Sequence, residues 1–246
     1  MSHRIHTRIK EGDYTKTIYT WIKDEEYSKA IQFLSEKQML YPNSRPSLSL
    51  LAYCYYMTQD FNSAANCYEQ LTTICPHVSD YKMHLALSLY QCCKYEEAMK
   101  VTYSMEDENM KSEKEIHSKD EILKLQSAIK YAEDDIRSAR SLVDQMSDGT
   151  SQSNGSSAGE KEVNEGCLLL KEDRFLDALT KFSNGFNILG PRPDLMYNQA
   201  LVHYKIKDYA KALKLIGEII EKGIREHPEL SVGSTTEGIE VREYFP

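Results

Sequence analysis

The sequence has no long apolar run and no apolar segment at its start. Its longest uninterrupted apolar stretch, Leu50–Met57, contains eight residues, whereas a helix that spans a membrane needs about 20. The first residues, Met1–Ile5, contain no apolar core of the kind that a secretory signal requires. We therefore expect no membrane insertion and a cytoplasmic location.

Glycine and proline are also scarce, and basic residues do not outnumber acidic ones. Eleven glycines and seven prolines in 246 residues exclude a collagen-like or linker-like polymer. Thirty basic against 38 acidic residues give a net charge of −8, so we expect no binding to nucleic acid. Two acidic runs, 106–108 and 133–135, have two readings, as solvated helix ends or as attractors of a basic partner.

Motifs that carry catalytic or metal chemistry are absent. The cysteines form no C-x-x-C pair, and without a secretory signal we interpret all six as free thiols. The seven histidines have no second ligand at helical spacing, and the chain contains no H-E-x-x-H, G-x-S-x-G or glycine-rich phosphate loop. We therefore expect a non-enzymatic protein with no catalytic residue, cofactor or metal ligand.

The chain does contain an internal repeat with a period of 34 residues. Alanines recur at this spacing, and aromatic residues precede each of them by three positions. The columns that keep the period are Tyr27, Phe61 and Tyr95; Ala30, Ala64 and Ala98; Phe175 and Tyr209; and Ala178 and Ala212. Several columns that share one period and keep their residue class indicate an array of structural repeats.

A period of 34 is typical of the tetratricopeptide repeat, a helix–turn–helix unit. Repeat two, residues 45–78, fits its pattern best, with Ala52 at position 8, Tyr55 at 11, Ala64 at 20, Tyr68 at 24 and Pro76 at 32. Small residues at positions 8 and 20 let two helices approach closely, and proline ends the second helix. The sequence thus predicts an all-α tetratricopeptide-repeat superhelical solenoid of about six units.

The six repeats divide the chain into expected regions. We place repeats one to four in residues 1–146, a flexible Gly/Ser-rich linker at 147–160, repeats five and six at 161–225, and a tail at 226–246. A rigid functional loop is the other reading of the linker. An insertion of about seven residues is expected within 109–119, because the alanine columns of repeats three and four are further apart than one period.

The first helices of stacked repeats should line a concave groove, into which positions 2, 5, 9, 12 and 13 point. These positions are rich in tyrosine and apolar residues, and such a surface usually marks an interaction site. The candidate partner-binding residues are Tyr53, Tyr56, Met57, Met83, Leu87, Tyr90, Tyr131, Tyr197, Leu201 and Tyr204. The alternative is that these tyrosines pack between neighbouring helices.

The groove lacks the clamp with which some repeat proteins hold acidic chaperone tails. That clamp needs Lys at position 5 and Asn at position 9 of one repeat, and here Lys124 is followed by Ala128. The sequence therefore does not favour a co-chaperone.

Five segments of the chain resemble one family of repeat proteins. They are Leu48–Leu71, Leu123–Gln145, Asn164–Lys171, Pro193–Ala200 and Ile219–Arg242. All five are similar to the tetratricopeptide repeat protein 30 family, also called the fleer family, which comprises the seventy-kilodalton subunits of intraflagellar transport complex B. The last segment lies outside the repeat columns, so generic repeat physics does not explain its match.

The resemblance implies a scaffold of the cilium and cytoplasm that is needed for cilium assembly. It implies that the chain encloses a segment of another complex B subunit, notably the fifty-two-kilodalton one, with links to the anterograde kinesin and to tubulin polyglutamylation. Family members are much longer, and the ending Glu243–Pro246 differs from the family continuation, so full enclosure of the partner is in question. The alternatives are a repeat adaptor outside cilia or an accessory subunit of a tubulin-modifying enzyme.

The second helix of repeat six presents a row of apolar residues, Leu213, Ile216, Ile219 and Ile220. A solenoid needs a polar cap at each end, so either the tail covers this row or the chain self-associates. The glycine and threonine content of the tail favours self-association.

Overall fold

The structure is a computed structural model that describes residues 12–111, 118–146 and 156–226. These residues form twelve α-helices and no strand. The helices are α1 (Tyr14–Lys23), α2 (Tyr27–Leu40), α3 (Arg45–Met57), α4 (Phe61–Ile74), α5 (Asp80–Gln91), α6 (Tyr95–Lys111), α7 (Lys119–Ala132), α8 (Ile136–Asp144), α9 (Ser156–Lys171), α10 (Phe175–Leu189), α11 (Pro193–Lys205) and α12 (Tyr209–Glu226).

The helices belong to two compact units, which we call the N-terminal block, α1–α8, and the C-terminal block, α9–α12. Within each block every helix packs against the next one along the chain. The odd-numbered helices are the first helices of the six repeats, and the even-numbered helices are the second. The predicted all-α tetratricopeptide-repeat solenoid is confirmed.

The turn inside each repeat has the same backbone conformation in all six. The residue at position 15 is left-handed, with φ between 58° and 65°. In repeat two, the Gln59 amide donates to the Tyr56 carbonyl at 3.1 Å and the Asp60 amide donates to the Tyr55 carbonyl at 2.9 Å. The six residues at position 15 are Glu25, Gln59, Cys93, Asp134, Asp173 and Lys207. This is the Schellman motif, which satisfies the last carbonyls of the first helix and reverses the chain.

The small residues of the repeat pattern lie where the two helices of a repeat cross. Ala52 at position 8 and Ala64 at position 20 are both fully buried, as are Ala86 and Ala98 in repeat three. In repeat one, position 8 holds Ile18, which is also buried. Because alanine has no side chain beyond Cβ, the helix axes can approach closely at these points.

Proline at position 32 ends the second helices of repeats one and two. Pro42 and Pro76 follow two residues after the last residues of α2 and α4, and the proline ring prevents the helix from continuing. Repeat three has Met110 at this position, and α6 continues to Lys111. The expected insertion at 109–119 therefore begins as extra helix, while its residues 112–117 lie outside the described part of the chain.

Glycines let α9 and α10 approach even more closely than the alanines do elsewhere. A Cβ placed on Gly166, at position 8, would lie 2.6 Å from the ring of Phe182, which is fully buried at position 24. A Cβ on Gly185 would lie 2.8 Å from Val163. Neither contact is possible for a larger residue without movement of one helix.

The expected linker 147–160 is helical over its last five residues. Helix α9 begins at Ser156, and Gly159 is buried against Leu189 of α10. Residues 147–155 of the expected linker lie outside the described residues, as do residues 227–246 of the expected tail. The Ser and Gly residues at 156–160 suggested a loop by composition, but they are compatible with helix because α10 packs against them.

Candidate protein-binding groove

Helices α5 and α7 of the N-terminal block lie side by side and enclose a cleft of about 530 Å³. Repeat three contributes Met83, Leu87 and Tyr90, which the repeat pattern places at positions 5, 9 and 12. The complete lining is Asp80, Met83, His84, Leu87, Tyr90, Gln91, Glu121, Lys124, Leu125 and Ala128. The structure thus brings together three of the candidate residues in one apolar cavity.

Equivalent positions of α5 and α7 face each other across this cleft. Positions 2, 5 and 9 are Asp80, Met83 and Leu87 in repeat three, and in repeat four they are Glu121, Lys124 and Ala128. Short connections make consecutive packed helices antiparallel, so α5 and α7, which lie on either side of α6 in the chain, run in the same direction. First helices therefore form a parallel layer, and their carboxyl ends lie at one edge of the groove.

The floor of the cleft is apolar and its rim is charged. Leu125 is buried, whereas Met83 and Leu87 are half-buried and keep part of their surface available to a ligand. His84 lies at the rim, where its Nδ1 is 2.8 Å from the Asp80 carbonyl oxygen and its ring contacts Tyr68 at 5.2 Å between centroids. These contacts fix His84 as part of the wall.

Tyr90 contributes both a ring and a hydroxyl group to the cleft. A tyrosine hydroxyl is protonated at neutral pH, and burial raises the pKa of Tyr90 still further above its usual value. The Tyr90 hydroxyl can donate a hydrogen bond to a carbonyl oxygen of a bound chain.

Helix α3 carries three further candidates, outside the lining of the cleft. Tyr53 is 40% exposed and Met57 is 44% exposed, whereas Tyr56 is half-buried. The Tyr53 ring lies 6.4 Å from that of Tyr27 in the preceding repeat. Tyr53 and Met57 therefore offer accessible apolar surface on the same layer of first helices.

The tyrosines at position 12 pack against the aromatic residue at position 17 of their own repeat. The ring centroids of Tyr56 and Phe61 are 5.3 Å apart, and those of Tyr90 and Tyr95 are 5.9 Å apart. In the C-terminal block, the rings of Tyr204 and Tyr209 are 5.7 Å apart. Such pairs stabilise the turn, so the position-12 tyrosines hold the repeat together in addition to any contact with a partner.

The remaining candidates are distributed over both blocks. Tyr131 lies half-buried on α7 and does not line the cleft. Tyr197, Leu201 and Tyr204 lie on one face of α11 in the C-terminal block, where both tyrosines are more than half exposed. This face repeats the tyrosine-rich character of the groove in the second block.

The α7 side of the cleft was not among the candidate residues. The repeat pattern already places Lys124 and Ala128 at positions 5 and 9 of repeat four, but only tyrosines and large apolar residues were taken as candidates. Leu125 is at position 6, which is not one of the expected groove positions. The left-handed residue Asp134 at position 15 agrees with a repeat that starts at residue 120.

Cavities also occur elsewhere among the described residues, and two of them can be compared with the cleft. One, of about 460 Å³, lies between α9 and α10, and its Glu162 already pairs with Lys181 at 2.9 Å and accepts from Asn184 at 2.8 Å. The other, of about 440 Å³, lies between α2 and α4 and is lined by uncharged polar side chains and a few apolar ones. The α5–α7 cleft differs from both because it lies on the layer of first helices.

The described residues contain no cluster of three or more His, Cys, Asp or Glu side chains that could hold a metal ion. Burial raises the pKa of both the Cys54 and Cys67 thiols to about 11, which keeps them protonated and unreactive. No helix in the described part of the chain is both long enough and apolar enough to cross a bilayer.

Comparisons with protein-family models give repeat families. Residues 194–222 match a tetratricopeptide repeat model, and residues 12–102 match the model of anaphase-promoting complex, cyclosome, subunit 3.

Solved structures of other repeat proteins have the same fold as this chain. A tetratricopeptide repeat protein from Parabacteroides merdae has a TM-score of 0.60 at 12% identity, over 84% of this chain and 77% of that protein. PilW, a type IV pilus biogenesis factor, has a TM-score of 0.59 at 11% identity, over 87% and 92%.

Several curated relatives are named intraflagellar transport protein 70. Intraflagellar transport protein 70A of Xenopus tropicalis is 50% identical over 96% of this chain, and that of Danio rerio is 49% identical over 95%. The human protein of the same name is 45% identical over 96%. The chain spans about a third of the length of these relatives, 34% to 35%. On this sequence identity, the chain belongs to the intraflagellar transport protein 70 family, also known as the tetratricopeptide repeat protein 30 family.

Proposed function

We propose that the chain is a non-enzymatic scaffold of intraflagellar transport complex B that holds a segment of another subunit on its layer of first helices. The observation that carries the proposal is the apolar cleft between α5 and α7, whose lining comes from equivalent positions of two repeats. Membership of the intraflagellar transport protein 70 family supplies the setting.

The geometry suits capture of a peptide segment. The cleft is open and has an apolar floor, and its rim offers the Tyr90 hydroxyl and the Gln91 amide for hydrogen bonds to a backbone. Tyr53 and Met57 extend the apolar surface onto α3. Since all three helices belong to one block, the binding surface is preorganised, which lowers the entropic cost of binding.

The partner that we propose is the fifty-two-kilodalton subunit of complex B. Links to the anterograde kinesin and to tubulin polyglutamylation, and a role in cilium assembly with a location in the cilium and cytoplasm, belong to the same proposal. Their support is the resemblance to the family and the names of the relatives, of which the chain spans about a third.

The dissociation constant of the complex with the fifty-two-kilodalton subunit tests the proposal. The double variant Met83→Gln/Leu87→Gln removes apolar surface from the cleft without changing charge. We expect it to weaken binding at least tenfold, because buried apolar anchors each contribute on the order of 1–2 kcal/mol. Thermal melts would establish that the variant is folded.

A matched control makes the same chemical changes elsewhere. Met39→Gln/Leu40→Gln alters two residues at the end of α2 that are 82% and 67% exposed and lie outside the cleft. This control should bind like the parent. Equal affinity of all three proteins, each folded, contradicts a role for the cleft.

A further inference from the structure

The groove of the N-terminal block has an acidic edge next to its apolar floor. First helices run in parallel, so their carboxyl ends and the turns that follow lie along one edge. We call residues at positions 13–16 of repeats one to four the turn rim. They are 23–26, 57–60, 91–94 and 132–135, with seven carboxylates against two lysines and hence a net charge of −5.

The carboxylates of the turn rim are accessible. Asp24, Glu25, Asp60, Glu133 and Asp134 are all exposed. Some already have local partners, since Lys130 pairs with Glu133 at 2.8 Å and the Asp60 side chain accepts from the Ser63 amide at 3.2 Å. Helix carboxyl ends add partial negative charge at the same edge.

The opposite edge of the cleft is acidic as well. Asp80 and Glu121 occupy position 2 of repeats three and four, at the amino ends of α5 and α7. The positive groups near this region are Lys124 in the cleft, Lys23 and Lys94 at the turn rim, and two lysines that pair with rim carboxylates, Lys29 with Glu26 and Lys130 with Glu133. Carboxylates outnumber them on both sides of the apolar floor.

The C-terminal block lacks this charge. The same positions of repeats five and six, residues 171–174 and 205–208, hold three carboxylates against four lysines and arginines, a net charge of +1. The acidic edge is therefore a property of the N-terminal groove and does not follow from the repeat pattern itself.

From this charge complementarity we propose that the segment bound by the N-terminal groove is basic and apolar, with aliphatic or aromatic anchors for the cleft and Lys or Arg side chains for its acidic edges. The inference rests on the proposed function, which supplies a segment in the groove. A second copy of the chain is disfavoured as occupant of this groove, because a chain with a net charge of −8 does not complement acidic edges. The apolar face of α12, through which two copies could associate, lies outside this groove.

An unbiased library of random twelve-residue peptides displayed on phage tests the charge of the segment. The complete chain selects peptides, and only those lost in Met83→Gln/Leu87→Gln are counted as groove binders. We expect the groove binders to carry a net charge of at least about +2 around apolar residues. Selected peptides are then synthesised with a fluorescent label for affinity measurements.

A rim variant and its matched control complete the experiment. Asp24→Asn/Glu25→Gln/Asp134→Asn neutralises three exposed rim carboxylates and spares Asp60 and Asp135, which cap helices. The control, Glu36→Gln/Glu69→Gln/Asp107→Asn, neutralises three exposed carboxylates on the second helices α2, α4 and α6. We expect about tenfold weaker peptide binding in the rim variant and almost no change in the control.

Each outcome separates the two proposals. Groove binders that are neutral or acidic, or that bind the rim variant as tightly as the control, overturn the basic segment but leave the groove as a binding site. Failure to select any groove binder contradicts the groove itself and therefore both proposals. A rise in ionic strength should weaken binding of the basic peptides.

Discussion

At the scale of single residues, a left-handed backbone conformation recurs at position 15 of every repeat. All six residues there adopt positive φ and none is glycine. A non-glycine residue in this conformation stores of order 1–3 kcal/mol of strain. The surrounding Schellman hydrogen bonds hold it in place in every repeat.

Glycine at position 15 should stabilise the fold. We expect Gln59→Gly to raise the free energy of unfolding by about 0.5–1 kcal/mol, because relief of strain exceeds the entropy that glycine loses. Gln59→Val should lower it, since a branched Cβ is worse in this region. Urea unfolding measures both.

Gln70→Gly is the matched control for this turn. Gln70 is exposed in the middle of α4, where glycine costs about 1 kcal/mol. If glycine at residue 59 destabilises the chain as much as glycine at residue 70, the strain at position 15 is refuted.

At the scale of helices, close contact between α9 and α10 depends on glycine. Gly166→Ala should destabilise the chain by about 1–3 kcal/mol, because the new Cβ would lie 2.6 Å from Phe182. Gly217→Ala on α12 should instead stabilise it by about 0.5–1 kcal/mol, since nothing lies within 4 Å of that Cβ. Thermal melts of both variants measure the two signs, and a stabilising Gly166→Ala contradicts the packing.

The second helix of repeat six differs from its equivalents in exposure. Position 21 is buried in repeats two and three, as Ala65 and Met99, whereas Leu213 at this position of α12 is 72% exposed. Ile220 and Ile224 on the same helix are 47% and 43% exposed. Helix α12 therefore presents exposed apolar residues, of which Leu213 is at a position that repeats two and three bury.

We expect the isolated chain to self-associate through this face of α12. Leu213→Lys/Ile220→Lys should shift the chain towards monomer, because two charges would lie within the contact. Sedimentation velocity at several concentrations measures the change. A parent chain that is already monomeric at every concentration contradicts the expectation, and leaves the tail as the candidate cover.

At the scale of the whole molecule, the sequence predicts most of the fold and part of the site. The repeat period, the buried alanines and the helix stops at Pro42 and Pro76 follow from steric rules that act within one repeat. The left-handed turns were not predicted because no glycine marks them. The helical start of α9 at Ser156 was missed because only contact with α10 reveals it.

The candidate site was also predicted only in part. Met83, Leu87 and Tyr90 were predicted because they are apolar or aromatic residues at groove positions. Lys124 was not selected because it is charged, although the pattern places it at position 5, and Leu125 was missed because position 6 is not an expected groove position. The tyrosines at position 12 lie next to position 17, and sequence alone does not separate their packing role from a binding role. Ring contacts in the structure establish the packing role of Tyr56 and Tyr90, and their role in binding stays a prediction.

The central claim is that the layer of first helices, at the α5–α7 cleft, contacts another subunit of complex B. Site-specific photo-crosslinking from residue 83 in ciliated cells tests it most directly, with residue 39 on α2 as the matched position. We expect a crosslinker in place of Met83 to attach to a complex B subunit and one in place of Met39 not to do so. Equal attachment from both positions, or none from residue 83 in a chain that enters cilia, would show that the cleft does not contact the complex.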